Sequence, residues 1–236
     1  MTERPVVYSA SSVNSYLTCH LAWYFGYVLG ERGEQSEPQR VGIKIHDFAE
    51  RSLKHLGTAY QTDDPEIEAL AKVWNSEILP TYRTPVLIEA SFQLEVNGIP
   101  FSGVVDAVDE QDVPWGFALI LRDLKSTGSR PSPGKYRFAM TGYLLGAQDI
   151  LQRIIDAAQL DWIVRTKKPY YWPEAMDPIT EDDVAVFANT LETVANGVAR
   201  EDYQPTGLGT WACKSCNHRA ICGPYQRYQE VTDGSN

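Results

Sequence analysis

The chain has four cysteines, Cys19, Cys213, Cys216 and Cys222. Three form a C-x2-C-x5-C run near one end, and 193 residues separate them from Cys19. Thiolates at this spacing converge on a metal. A site built from both ends of a chain must close around everything between them. Zinc and iron–sulfur clusters both accept four thiolates, and disulfides would allow three pairings. The usual zinc ribbon has two close pairs, whereas here one ligand is remote. Spacing alone leaves zinc and a cluster open.

At 236 residues the chain is long enough for one substantial domain with a real core. No stretch approaches the roughly 20 apolar residues of a membrane span. The opening Met-Thr-Glu-Arg-Pro has no apolar signal region. We therefore expect a cytoplasmic protein, in which four cysteines favour metal ligation over disulfides. The net charge of −10 argues against a general nucleic-acid coat. The positive charges are nonetheless concentrated: Arg122, Lys125, Arg130, Lys135 and Arg137 stand close together, opposed only by Asp123. Arg165, Lys167 and Lys168 form a second cluster, followed by Tyr170, Tyr171 and Trp172. Those aromatics suit stacking on unpaired bases or packing in a core.

Periodicity predicts a helix from Ser11 or Ser12 carrying Cys19, a polar loop over 31–40, and a helix from about Val41 to Leu56 with Gly57 at its end. A third helix follows over Pro65 to Leu79. The pattern then turns to period two over Leu87 to Val96, with Asn97-Gly98 as a hairpin turn and a return strand from Ile99 to Val108. A third strand runs from Phe117 to Lys125. Next come a helix from Tyr136 to Ala158, a strand over Asp161 to Thr166 and a helix from Glu181 to Ala199. The order α-α-α-β-β-β-α-β-α implies an α/β (α+β) domain with a mixed sheet. We expect one domain over 1–226, with a core at 40–170 and a cysteine module from 10–30 and 200–224. Residues 227–236 read as a flexible tail.

Asp123-Leu124-Lys125 ends the third strand, so Asp123 and Lys125 share a face. A carboxylate there suits a hard divalent cation, and an ammonium beside it can hold a water or offset charge on a phosphate. On the preceding strand Asp106 shares a face with Val104 and Val108, and a buried carboxylate is costly unless paired or metal-bound. By itself D-x-K reads first as an Asp–Lys salt bridge at a sheet edge, since the tripeptide is common. His46 by itself reads as a partly buried, satisfied histidine. Glu89 falls on the polar side of its strand, where it can contribute to the site.

Together, His46, Gly103-Val104-Val105-Asp106, Asp123-Leu124-Lys125 and the four cysteines resemble the PD-(D/E)xK nucleases of the RecB/Cas4-like iron–sulfur type, from Ser9 to Cys222. The resemblance implies a restriction-endonuclease-like fold, a mixed central sheet flanked by helices. It implies that His46, Asp106, Asp123 and the Leu124 carbonyl bind Mg2+ or Mn2+. Lys125 would then position the attacking water, and Cys19, Cys213, Cys216 and Cys222 would hold a [4Fe–4S] cluster. The family often follows its D/E-x-K with Q-x-x-x-Y; Tyr143 matches the tyrosine, but Ala139 stands where the glutamine belongs. The implied activity is a DNA exonuclease acting on single strands or DNA ends with 5′→3′ polarity, in recombination, replication or repair. The implied DNA contacts are Arg130, Lys135, Arg137 and Tyr143. The rival roles are a CRISPR-adaptation factor trimming ends beside an integrase complex, and a non-catalytic DNA-binding module holding a cluster or zinc.

Overall fold

A computed structural model describes residues 6–31, 33, 36–55, 59–65, 67–114, 116–129 and 133–233. The chain divides into two compact units. One comprises Ser36–Leu94 and Ser102–Phe187, the other Met1–Gln35, Glu95–Phe101 and Ala188–Asn236.

In chain order the elements are α1 (Ala10–Thr18), α2 (His20–Trp23) continuing as a wide π turn over Tyr24–Val28, α3 (Glu37–Lys54), and α4 (Glu68–Val73) continuing as a π turn over Trp74–Ile78. Strands β1 (Thr84–Val96), β2 (Ile99–Val113) and β3 (Gly116–Thr127) follow, then α5 (Arg137–Leu151), β4 (Ala157–Val164) and β5 (Tyr170–Ala175). Helices α6 (Glu181–Ala199), α7 (Trp211–Lys214) and α8 (Gly223–Asp233) close the chain. No helix among the described residues is long and apolar enough to cross a membrane.

The five strands lie in the order β1-β2-β3-β4-β5. Asn97 and Gly98 join β1 to β2 with φ of 50° and 77°, the paired positive values of a two-residue hairpin turn. β2 and β3 are antiparallel, with Ala107 opposite Arg122 and Val113 opposite Gly116. α5 carries the chain over to β4, which runs parallel to β3 with Asp123 beside Leu160 and Lys125 beside Trp162. β5 returns antiparallel, pairing Trp162 with Trp172. This is the expected mixed α/β sheet flanked by helices.

One sheet face is covered by α3, α4 and the π turn after it. Val41, Ile45, Phe48, Leu70, Trp74 and Ile78 pack there against Ala107, Leu124 and Ile163. Beside them lies a buried polar knot. Arg122 donates to Asp161 Oδ2 at 2.8 Å and stacks over the Tyr82 ring at 3.7 Å. Tyr171 donates to Asp161 Oδ1 at 2.7 Å. Asp109 accepts the backbone N–H groups of Arg83 and Thr84 at 3.0 and 2.8 Å, which fixes the start of β1. Buried charges are tolerated where each has partners of this kind.

Several boundaries depart from the sequence reading. α1 is capped by Ser9, whose hydroxyl accepts Ser12 N–H at 3.2 Å. α3 begins at Glu37, inside the expected loop, because Ser36 and Gln39 form a capping box. Its other end is Lys54, and the expected cap Gly57 lies outside the described residues. The helix expected to reach Ala158 stops at Leu151, where Gln152 takes a left-handed conformation at φ 51°. β4 accordingly starts at Ala157 rather than Asp161. β5 is an additional strand. The expected tail from 227 is helical through Asp233, and 234–236 lie outside the described residues.

In the second unit Tyr16 donates to the Asp202 carbonyl at 2.9 Å and Trp23 to Ser12 Oγ at 3.0 Å. The Tyr16 ring sits against Gly197 so closely that a side chain there would collide with it. Leu21 N–H reaches the Gln204 carbonyl at 3.2 Å. These contacts bind α1 and α2 to the C-terminal segment.

Candidate active site

His46 projects from the middle of α3, Glu89 from β1 and Asp106 from β2. His46 Nδ1 lies 3.5 Å from both Glu89 Oε1 and Asp106 Oδ1. Among the described residues these three form the one group of potential metal ligands whose donor atoms all lie within 4.8 Å of one another. Burial lowers the His46 pKa, but the Glu89 hydrogen bond and the Asp106 charge outweigh it, so the value stands above the ordinary one.

Asp123 and Lys125 project from β3 on one face. Lys125 Nζ lies 2.8 Å from Asp123 Oδ1 and 2.7 Å from Oδ2. Asp123 is 2% exposed, and the ammonium is the charge that faces it there. Burial raises the Asp123 pKa to about 6, while the neighbouring ammonium pulls it down. Burial lowers the Lys125 pKa, but Asp123 and Asp106 more than reverse this and hold it well above the usual lysine range. Lys125 is therefore an ammonium at neutral pH.

Asp106 joins the two groups. Its Oδ1 faces His46, while its Oδ2 accepts the Leu124 backbone N–H at 2.8 Å. The Leu124 carbonyl is 3.4 Å from Lys125 Nζ. Glu89 is the residue that strict alternation places on the other face. It adopts φ 45° within β1, a left-handed kink of the kind found at bulges. The kink breaks the period-two phase and brings its carboxylate to His46. The signal in the sequence was only an acid in an otherwise apolar stretch, Leu87-Ile88-Glu89-Ala90.

Three carboxylates and an imidazole on adjacent elements fit a hard divalent cation. His46, Glu89 and Asp106 are the compact donor set.

The four cysteines lie in the other unit. All four line one apolar pocket, collared by Leu21, Phe25, Leu208 and Tyr225. Cys19 stands at the break between α1 and α2, with an extended backbone at φ −162°. Cys213 Sγ lies 2.9 Å from the Gly207 carbonyl, and Cys216 Sγ accepts His218 N–H at 3.4 Å. Burial raises the thiol pKa values of Cys216 and Cys222. No three of these sulfurs come within 4.8 Å of one another.

Compared with known proteins, the model of the PD-(D/E)XK nuclease superfamily matches residues 7–85 and 77–223. The chain belongs to that superfamily. No curated protein matches it. Among solved structures, a protein from Eubacterium rectale provisionally named an exonuclease aligns at TM-score 0.59 and 12% identity, over 90% of this chain and 87% of that one. The protein SSO0001 aligns at TM-score 0.53 and 13% identity, over 95% and 90%. At such identities the likeness is one of fold.

In this PD-(D/E)XK nuclease the residues expected to meet DNA are unequally placed. Tyr143, on α5, borders Asp123 and Lys125; burial and the Asp123 charge push its pKa up to about 12. Lys135 is exposed, with Nζ 4.8 Å from the Tyr136 ring centre. Arg137 gives its guanidinium to Asp183 and to the Asp177 and Pro178 carbonyls, so its charge is largely spent inside the protein. Arg130 lies outside the described residues.

Proposed function

We propose that this nuclease is a divalent-metal-dependent DNA exonuclease acting on single strands or DNA ends, with 5′→3′ polarity. The supporting observation is the double engagement of Asp106, which ties the His46–Glu89 pair to the Asp123–Lys125 pair in one continuous site. His46, Glu89 and Asp106 would hold Mg2+ or Mn2+, with Asp123 and the Leu124 carbonyl adjoining. A cation so placed supplies Lewis acidity to a phosphate and acidifies a water.

The protein's own groups divide the remaining work. Lys125 cannot take a proton from water, because its neighbours keep it charged. It instead donates a hydrogen bond to the attacking water and meets the negative charge that builds on the phosphoryl oxygens. Asp123 holds that ammonium in place. Leu124 N–H orients Asp106 so that the opposite carboxylate oxygen stays turned to His46.

The proposal includes a [4Fe–4S] cluster on Cys19, Cys213, Cys216 and Cys222, with a structural role. What supports it is that Cys19 and the C-terminal cysteine run line one apolar pocket, with four thiolates for the group.

End-labelled single- and double-stranded DNA, incubated with Mg2+, Mn2+ or EDTA, tests the reading. Wild type should degrade DNA only with the metals, and Asp123→Ala and Lys125→Ala should be slower by about 10²- to 10³-fold or more. Cleavage by Lys125→Ala at the parent rate would overturn it.

A further inference from the structure

The aromatic run after the second basic cluster is divided by the pleat of β5. Tyr171 turns into the core, where it bonds Asp161. Tyr170 and Trp172 turn the other way, and each is 39% exposed. The strand register says which way that is. Lys125 pairs with Trp162, and Trp162 pairs with Trp172. Residues paired directly across strands share a sheet face, so Lys125, Trp162 and Trp172 form one row on the face that carries Asp123. β5 ends the strand order, so Tyr170 and Trp172 stand on the edge strand, two strand spacings or about 10 Å from β3.

Trp162 between them is buried and locked. Its Nε1–H donates to Glu174 Oε2 at 2.9 Å, and Tyr136 packs edge-on against its ring with centroids 5.2 Å apart. Glu174 shares the face with Tyr170 and Trp172, and its carboxylate is drawn onto that indole. Positive charge near the row comes from Lys135 beside Tyr136 and from exposed Lys167 and Lys168 just before β5, while the acids there are engaged, Glu174 on Trp162 and Glu77 at the Tyr171 N–H, 3.4 Å away.

We propose that Tyr170 and Trp172 form a stacking platform for unpaired bases of a DNA strand whose backbone passes Lys135 to reach Lys125. This rests on the nuclease reading and narrows its substrate to single-stranded DNA or frayed ends. The bases of a duplex are already stacked on each other, so exposed rings at a sheet edge select strands whose bases are open. The lysines meet the phosphates without reading sequence.

The test is binding and cleavage of a labelled oligo-dT strand and a blunt duplex. Binding is measured by anisotropy in an Asp123→Ala background. Adding Tyr170→Ala and Trp172→Ala should weaken oligo-dT binding by at least about tenfold, since one ring contributes about 5- to 150-fold, and leave duplex binding unchanged. Trp172→Phe keeps a ring and should keep most of the affinity, which separates stacking from misfolding. Oligo-dT affinity within about twofold of the parent in the double variant, or no binding by any form, would overturn the platform. So would a wild-type dimer that the double variant turns into a monomer, because the edge would then serve a second copy. If wild type binds oligo-dT through these rings but cleaves nothing, the nuclease reading falls and the platform stands. If wild type cleaves and the ringless variant cleaves and binds equally, the reverse holds.

Discussion

Lys125 Nζ sits between the two carboxylate oxygens of Asp123, 2.8 Å from one and 2.7 Å from the other. The pair is a clamp rather than an acid and its base. The lysine stays charged, and the aspartate is the group that titrates near neutrality.

That has a signed consequence for stability. The folded-state pKa of Asp123 is raised by burial to about 6, above its ordinary 3.8. Between those values the folded protein keeps a proton that the unfolded chain releases. The stabilisation is full below the unfolded value and is lost as pH rises through about 6. EDTA-treated wild type should therefore lose stability relative to Asp123→Asn across this window, by on the order of 3 kcal/mol. Thermal melts of both proteins against pH measure it, and parallel curves would refute the shift.

Glu89 should matter to metal binding as much as the residues of the D-x-K pattern. Glu89→Ala should weaken Mn2+ affinity by about tenfold or more in calorimetry. Asp47→Ala, which removes an exposed acid paired with Arg51 on α3, controls for net charge. Equal affinities in the two variants would remove Glu89 from the site.

Phe92 fills the space that two glycines leave open. A β-carbon on Gly103 would lie 2.7 Å from its ring, and one on Gly146 would overlap it. Tyr143 meets the same ring edge-on. Gly146→Ala should cost about 1–3 kcal/mol by overpacking, lowering Tm by about 2–12 °C. Phe92→Leu in the same chain should restore part of it. A Tm unchanged by Gly146→Ala would show that the ring can move away.

Cys19→Ala should reduce iron and sulfide content and lower Tm, because the proposed cluster would lose its ligand at the α1–α2 break. Iron analysis and visible absorbance of anaerobically purified protein follow the first, and calorimetry the second. Full iron content with an unchanged Tm would separate Cys19 from the other three. Stoichiometric zinc in colourless wild type would replace the cluster.

Alternation on β3 is enough to set Asp123 and Lys125 side by side, because side-chain direction along a regular strand is fixed by the backbone. Glu89 was harder to place because its kink interrupts that regularity, and the sequence carries no glycine to mark it. The end of α5 was hidden for the same reason: Gln152 takes a left-handed turn that usually advertises itself with glycine or asparagine. β5 was obscured by Pro173, which an edge strand tolerates. The partners of Arg122 come from sequence positions 39 and 40 residues away, at Asp161 and Tyr82, and only the assembled sheet brings them together.

The kink at Glu89 sets two demands against each other. A left-handed conformation costs a side chain about 1–2 kcal/mol, and glycine would avoid most of that. Glu89→Gly would thus ease the backbone while deleting the carboxylate. Selection for heat resistance alone would therefore favour glycine here, and selection for the proposed metal site would favour the acid, so the two pressures pull this position in opposite directions.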